Sequence, residues 1–423
     1  MTRQLTDSEF LSLIGPGDDL IVPIANGEPF RLLDILEAHA EELDGVRIHQ
    51  MHALRERDYI KGAFPGRLSH VSYFLSSATR KAYHQGTVEL VPNNFSDVPY
   101  LLTRTTKRSM VMAVASPMDE HGYFSLGTNA DYVAEFIGHV PFVLEVNDRM
   151  PRTFGRNQVH ISQIAGYIRH DAPLTEAVAP PAGEKDIRIA EQVVGRIEDG
   201  DTLQVGIGSI PNAVMGMLKD YRHLGIHTEM LTSSIVDLFE AGALDGSRKK
   251  TNRGKIVGTF ALGTHKLYDF LHNNPGVEFL PVNIVNNPHN IAQEDNMVSI
   301  NASTEIDLYG QAASETVGGK YYSLSGGQAD FANGIRFSKN GKGFICLHST
   351  AKDDAISRIR LNLTPGSVVT TSKNSVGSVV TEYGVADLYG QPFSERARRL
   401  IAIAHPKFRE ELEFEARKAG FFN

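Results

Sequence analysis

Short apolar runs of strand character alternate along the chain with longer stretches in which apolar residues recur at helical spacing. Leu20 to Ile24 reads as a strand, and Leu32 to Ala38 follows it as a helix. Strand then helix, repeated through the sequence, predicts an α/β fold with a parallel sheet. The pattern fails over residues 171–186, DAPLTEAVAPPAGEKD, where Pro and Ala crowd together and no periodicity survives. That stretch is the expected linker, dividing the chain into domains 1–175 and 186–423.

The two parts repeat one another. GDDLIVPIANGEP, residues 17–29, and GDTLQVGIGSIP, residues 200–211, both read as a turn, a short apolar strand, a loop containing glycine, a proline and then a helix. About a hundred residues further on, each part has an Asp-x-x-Gly turn, Asp119 to Gly122 and Asp307 to Gly310. Two matches in the same order point to a duplicated domain, although strand, glycine turn and helix also recur by chance in α/β chains. The second copy carries GIGSIPNA where the first has IANGEPFR. Gly206 and Gly208 leave open backbone there, and a helix beginning near Pro211 would aim free N–H groups at an anionic or polar ligand. The loop lacks the third glycine and the following acidic residue of a dinucleotide fingerprint.

Composition narrows the function classes. At 423 residues, with 41% hydrophobic and 22% charged side chains, the chain can bury large cores and is not disordered. A single cysteine, Cys346, rules out an internal disulfide and Cys-rich zinc motifs, as expected in a reducing compartment. It lies in the apolar run FICLHS and reads as a buried small residue. The net charge of −8, with no basic stripe, argues against nucleic acid as a partner. No apolar run reaches the roughly 20 residues that span a bilayer, and MTRQLTDSEF has no apolar signal segment, so a cytoplasmic location is expected. None of the histidine spacings, His348 and His405 included, builds a metal-ligand pair on one helical face.

Candidate chemistry falls on carboxylates and glycine loops. Glu229 ends a short run in LGIHTEMLTSS, at what would be the carboxyl end of a strand facing the ligand crevice. Spacing alone favours a solvated loop glutamate. Glu305, just before the second Asp-x-x-Gly turn, reads as a structural or supporting residue. In SLSGGQADFANG the pair Gly326 and Gly327 suits either a hairpin turn or a backbone N–H presented to a reacting oxygen. Asn93 and Asn94 are candidates for the acyl side of a cleft.

GIGSIPNAV, GIHTEM, VSINASTEIDLYGQ, GGQADF and the C-terminal VVTEYGVADLYGQPFSERARRLIAIAHPKFRE, with EVNDRMPRTFG at 145–155, together resemble the acetyl-CoA hydrolase/transferase family over nearly the whole chain. Within it, the likeness is to the butyryl-CoA and 4-hydroxybutyrate CoA-transferase branch. The resemblance implies two tandem related α/β domains of the class I CoA-transferase type, with an active site between them drawn mostly from residues 200–352. It implies Glu229 as nucleophile, and CoA contacts by Gln204, Val205, Gly206, Ile207, Gly208, Thr304, Gly327 and Lys352. CoA would be a substrate and no metal would be needed. An acyl-CoA and acetate, butyrate or 4-hydroxybutyrate would be the reacting partners, and a homo-oligomer is expected. Ala312 and Ala313 after Gln311, and Asn333 in DFANG, depart from the family pattern. Hydrolysis of an acyl-CoA through the same glutamate, or silent metabolite binding, are the alternative functions.

Overall fold

A computed structural model of the chain describes residues 4–206 and 208–422. It divides into two compact units. The first takes the chain up to Ala177, together with Met230–Ser233 and Val257–Val285. The second takes Val178–Glu229, Ser234–Ile256 and the chain from Asn286 onward. The first crossing falls between Ala177 and Val178, and two later segments return to the first unit.

In the first unit seven strands, β1 (Asp19–Val22), β2 (Val46–Gln50), β3 (Leu68–Ser72), β4 (Val88–Leu90), β5 (Met110–Ala115), β6 (Phe142–Val146) and β7 (Ile164–Arg169), form a sheet in the order β4-β3-β2-β1-β5-β6-β7. Every pairing is parallel. Because successive side chains point to opposite faces, the central strands feed two cores. Leu20, Val22, Met110 and Met112 pack in one, with Leu32, Leu33, Ile35 and Leu36 of helix α1 (Phe30–Ala38). Ile21, Val111, Ala113 and Ala115 pack in the other, with Met230, Phe260 and Val282. Those last three side chains explain why the returning segments belong to this unit.

The second unit repeats the plan. Six of its strands, β8 (Thr202–Val205), β9 (Gly225–His227), β10 (Met297–Ala302), β11 (Lys342–Cys346), β12 (Ser378–Thr381) and β13 (Gly384–Asp387), run side by side in the order β9-β8-β10-β11-β12-β13. All are parallel except the final hairpin. Helices α2 (Glu184–Val194), α3 (Ser209–Met217), α4 (Gln328–Ile335) and α5 (Phe393–Ile403) accompany them. Ile345 and Val379 pack with Ala386, Leu400 and Ile403 to close one core. Among the described residues, no helix is long and apolar enough to cross a membrane.

The duplication is visible atom by atom. In each unit the Asp-x-x-Gly turn follows the strand beside the first one, β5 or β10. Asp119 Oδ1 accepts the N–H groups of His121 and Tyr123, and Asp307 Oδ1 those of Tyr309 and Gln311. The closing glycines, Gly122 and Gly310, have φ of 85° and 86°, a region that disfavours any side chain.

Candidate active site

In an open parallel sheet the carboxyl ends of the strands form the natural ligand edge. Five of the candidate segments lie there in the second unit. The chain leaves β8 through Val205 and Gly206; Ile207 lies outside the described residues. Gly208, at φ 132°, caps α3, which begins at Ser209, two residues before the predicted start. Only glycine adopts that conformation without strain.

Gln204 does not face this loop with its side chain. Its Oε1 accepts from Ser299 Oγ at 2.6 Å and Asn301 Nδ2 at 3.0 Å, and all three residues are buried. The amide ties β8 to β10, with Nε2 donating to Asn301 Oδ1 at 3.3 Å. Val205 N–H donates to Thr228 Oγ1 at 3.3 Å, which fixes the chain immediately before Glu229.

Glu229 stands two residues beyond β9 and is partly exposed. Its Oε2 accepts a hydrogen bond from Asn286 Nδ2 at 2.8 Å, and the N–H of Gly327 also donates to the carboxylate. Gly327 caps α4, so its N–H is one of the donors a helix leaves without an internal partner. A Cβ at 327 would fall 2.0 Å from Glu229 Oε2 and 2.3 Å from Asn286 Nδ2, so the cradle exists only because this residue has no side chain. Gln328 anchors the loop, donating from Nε2 to Ser314 Oγ at 2.8 Å and Thr371 Oγ1 at 3.1 Å.

The electrostatics of Glu229 differ from those of a solvated loop residue. Burial of the carboxyl among protein atoms, aided by the nearby Asp330 charge, pushes its pKa up to about 7. The donors Asn286 and Gly327 oppose that rise without cancelling it. A half-buried carboxylate with Asn286 donating to Oε2 and the Gly327 N–H donating to the same group can attack a carbonyl carbon.

The remaining candidates sit further along the same edge. Thr304 follows β10, but its hydroxyl proton is taken up by the carbonyls of Ala313 and Thr316, 2.6 and 2.8 Å from Oγ1, and its N–H donates to Ala313 O at 3.1 Å. Glu305 accepts from Thr364 N–H and Oγ and pairs with Arg360, the supporting role expected of it. Ala312 and Ala313 form a short strand against Ile306 and Glu305, and both are buried. Asn333 accepts from Ser375 Oγ at 2.6 Å. Lys352 is exposed in a turn beyond β11, where it and Asp353 and Asp354 all have positive φ. In the first unit, Asn93 is tied to Tyr73 O and Val91 O, and Asn94 to Asp97.

Cys346 is buried, and burial pushes its thiol up to about 12, where it is unreactive. His348 binds Asp186 at 2.7 Å, and His405 accepts the N–H of Lys407. Among the described residues no cluster of three or more His, Cys, Asp or Glu could hold a metal ion.

Asn286 and Asp330 escaped the sequence reading. Asn286 belongs to the VNNP run, in which Asn287 caps the short helix Pro288–Ile291 through His289 N–H. Two asparagines before a proline carry a capping signal, and nothing in their spacing marks one of them as the partner of a glutamate 57 residues away.

The chain is similar to known proteins over nearly its whole length. Residues 2–180 match the acetyl-CoA hydrolase/transferase N-terminal domain and residues 263–416 the C-terminal domain of the same family. The succinyl-CoA:cyclohexane-1-carboxylate CoA transferase of Geobacter metallireducens is 45% identical over 97% of this chain and 94% of its own. The 4-hydroxybutyrate coenzyme A transferase of Clostridium kluyveri is 41% identical over 98% of this chain and 97% of its own. Among solved structures, that of RipA from Yersinia pestis superposes with a TM-score of 0.93 at 36% identity, covering 99% of this chain and 98% of that one.

Proposed function

We propose that this chain, which belongs to the acetyl-CoA hydrolase/transferase family, moves CoA reversibly between an acyl-CoA and a short-chain carboxylate through a thioester on Glu229. The observation that carries this reading is the Glu229 carboxyl held by Asn286 and the Gly327 N–H at the ligand edge of a parallel sheet.

The Glu229 carboxylate attacks the thioester carbonyl of the acyl-CoA, the C–S bond breaks, and a mixed anhydride and CoA thiolate result. The thiolate then attacks the glutamyl carbonyl, the acyl group leaves as its carboxylate, and a glutamyl-CoA thioester remains. An acceptor carboxylate attacks that thioester, expels the thiolate and forms a second anhydride. The thiolate returns to the acceptor's acyl carbon and frees Glu229.

When sulfur attacks the glutamyl carbonyl, negative charge gathers on the glutamyl oxygen, where Asn286 Nδ2 and the Gly327 N–H already point. Loss of one such donor typically costs about 10² to 10³ in rate. In the same reading the Gln204 to Gly208 segment and Thr304 line the CoA path with backbone, and Lys352 supplies charge. Gly327 acts twice, as donor and as the absent side chain. The names of the relatives make acetate, butyrate, 4-hydroxybutyrate and larger acyl acids the substrates to try.

The test is thioester loss from butyryl-CoA with and without added acetate, with borohydride reduction of enzyme preincubated with acyl-CoA. Transfer requires dependence on the acid and a reduced Glu229 peptide. Turnover indifferent to added acid would instead identify a hydrolase, and an unmodified Glu229 peptide would remove the covalent mechanism.

A further inference from the structure

The two donors that hold the Glu229 carboxylate come from different elements of the second unit. The Gly327 N–H belongs to the cap of α4, and Asn286 directly precedes Asn287, the cap of the short helix Pro288–Ile291. The two elements have to be kept in register if both donors are to meet one carboxylate.

They are not secured equally. Helix α4 is tied at both ends. Gln328, its first residue, donates to Ser314 and Thr371, and Asn333, near its last, accepts from Ser375 Oγ at 2.6 Å. Asn286 is fully buried, yet its Oδ1 has no hydrogen-bond partner among the described residues. Nothing on the far side of the amide fixes its aim, so the direction of Nδ2 is set by the backbone that carries it. That backbone runs straight into the short helix, one stiff turn in which Asn287 O accepts the N–H groups of Asn290 and Ile291 at 2.9 and 3.0 Å.

Gly334, in the last turn of α4, is what the short helix meets. A Cβ at 334 would fall 2.7 Å from Ile291 Cβ, 2.8 Å from Ile291 Cγ2 and 2.9 Å from Pro288 O. A Cβ and a carbonyl oxygen are fixed to the chain, so no change of rotamer makes room for a methyl group there. With α4 tied at both ends, the short helix has to give way, and Asn286 moves with it. A glycine inside a helix weakens it relative to alanine and is kept where another backbone comes close.

We propose that Gly334 is a positioning residue for Glu229: its missing side chain lets the Pro288–Ile291 helix close on α4, and that approach brings Asn286 Nδ2 onto the carboxylate. Between Gly327 and Gly334 the helix rises about 10 Å, so Gly334 acts through the donors and not by contact. The inference rests on the transferase reading for the reaction it serves, and deepens it by joining the two donors into one assembly.

Gly334→Ala should keep KM for butyryl-CoA within about twofold of the parent while kcat for transfer to acetate falls about 10- to 100-fold, as a misplacement of about 1 Å does. The pH limb of kcat/KM should also move upward. Asn286 and the Gly327 N–H oppose the rise that burial and the Asp330 charge impose on the Glu229 carboxyl, and a displaced Asn286 opposes it less. Damage to packing alone would lower the yield of folded enzyme and leave that limb in place. An unchanged kcat, or a limb at its parental position, overturns the assignment. Should Gly334→Ala fail to fold, Ile291→Ala decides from the other side of the contact: it leaves the short helix loosely seated, and the limb must again move upward.

A reading that needs no turnover separates this inference from the reaction. Urea titrations across pH of the full chain and of Gly334→Ala, each against the same protein carrying Glu229→Gln, report the Glu229 proton alone. In the parent the difference grows as pH rises through about 7, and in Gly334→Ala it must go on growing to higher pH. If the parent transfers no CoA and this shift is present, the proposed reaction fails while the positioning role stands. If CoA is transferred and the Glu229 proton is unmoved in Gly334→Ala, only the role of Gly334 fails.

Discussion

At the scale of single residues, Glu229 is governed by opposing demands. In the proposed mechanism its attack on a thioester needs the carboxylate, yet its surroundings favour the protonated acid until about pH 7. The activity of the free enzyme, as kcat/KM for acyl-CoA, should therefore climb with pH along a limb centred near 7. Asn286→Ala removes a donor that stabilises the charged form, so the same limb should move to higher pH.

The proton also enters the stability of the fold. Because the folded-state value lies above that of the unfolded chain, Glu229 weakens the native state progressively as pH rises from about 4.5 through 7. Glu229→Gln should abolish transfer while raising stability by about 1–3 kcal/mol at pH 8, with no gain at pH 4, as read by denaturant titration. Gly327→Ala should fold, its φ of −93° being open to alanine, and still lose nearly all turnover, since the methyl would collide with Glu229 and Asn286. Full activity in that variant would remove Gly327 from the site. Spacing alone did not single out Glu229, because a strand end looks the same whether its carboxylate meets solvent or a cradle. The family resemblance implied it as the nucleophile, and Asn286 stayed hidden because its contact is long-range.

Among elements, periodicity was an accurate guide where residues serve only the local structure. The strand expected over Leu20 to Ile24 forms over Asp19–Val22, and the helix expected over Leu32 to Ala38 starts slightly earlier, at Phe30. The Asp-x-x-Gly turns were legible too, because an aspartate closing its own turn needs only neighbours in the chain. Their matching bonds make a shared consequence measurable. Asp307→Ala strips the acceptor from Tyr309 N–H, Gln311 N–H and Gln311 Nε2, and should cost about 2–4 kcal/mol in a urea melt. The turn at 352–354 was not legible, since Lys-Asp-Asp carries no glycine to announce positive φ. The start of α3 was displaced because Pro211 fits the first turn as well as the first position.

Across the whole molecule, composition and repetition disclosed two α/β units but not how the chain is shared between them. A linker shows in composition, whereas a segment that leaves and returns has ordinary apolar patterning. Met230, Phe260 and Val282 complete one core of the first unit from far along the sequence. A fragment ending at residue 177 should therefore bind a hydrophobic dye and melt at lower temperature than the same unit in the full chain. A fragment with full-length stability and no dye binding would show that those three side chains are dispensable.

On the ribosome the same route imposes a timetable. The amino-terminal half can draw its sheet together early, but one face stays unsealed until Val282 has been synthesised and has left the exit tunnel, more than a hundred residues after Ala177. Throughout that interval the nascent protein presents greasy surface to its surroundings, and a chaperone is best placed to bind it then.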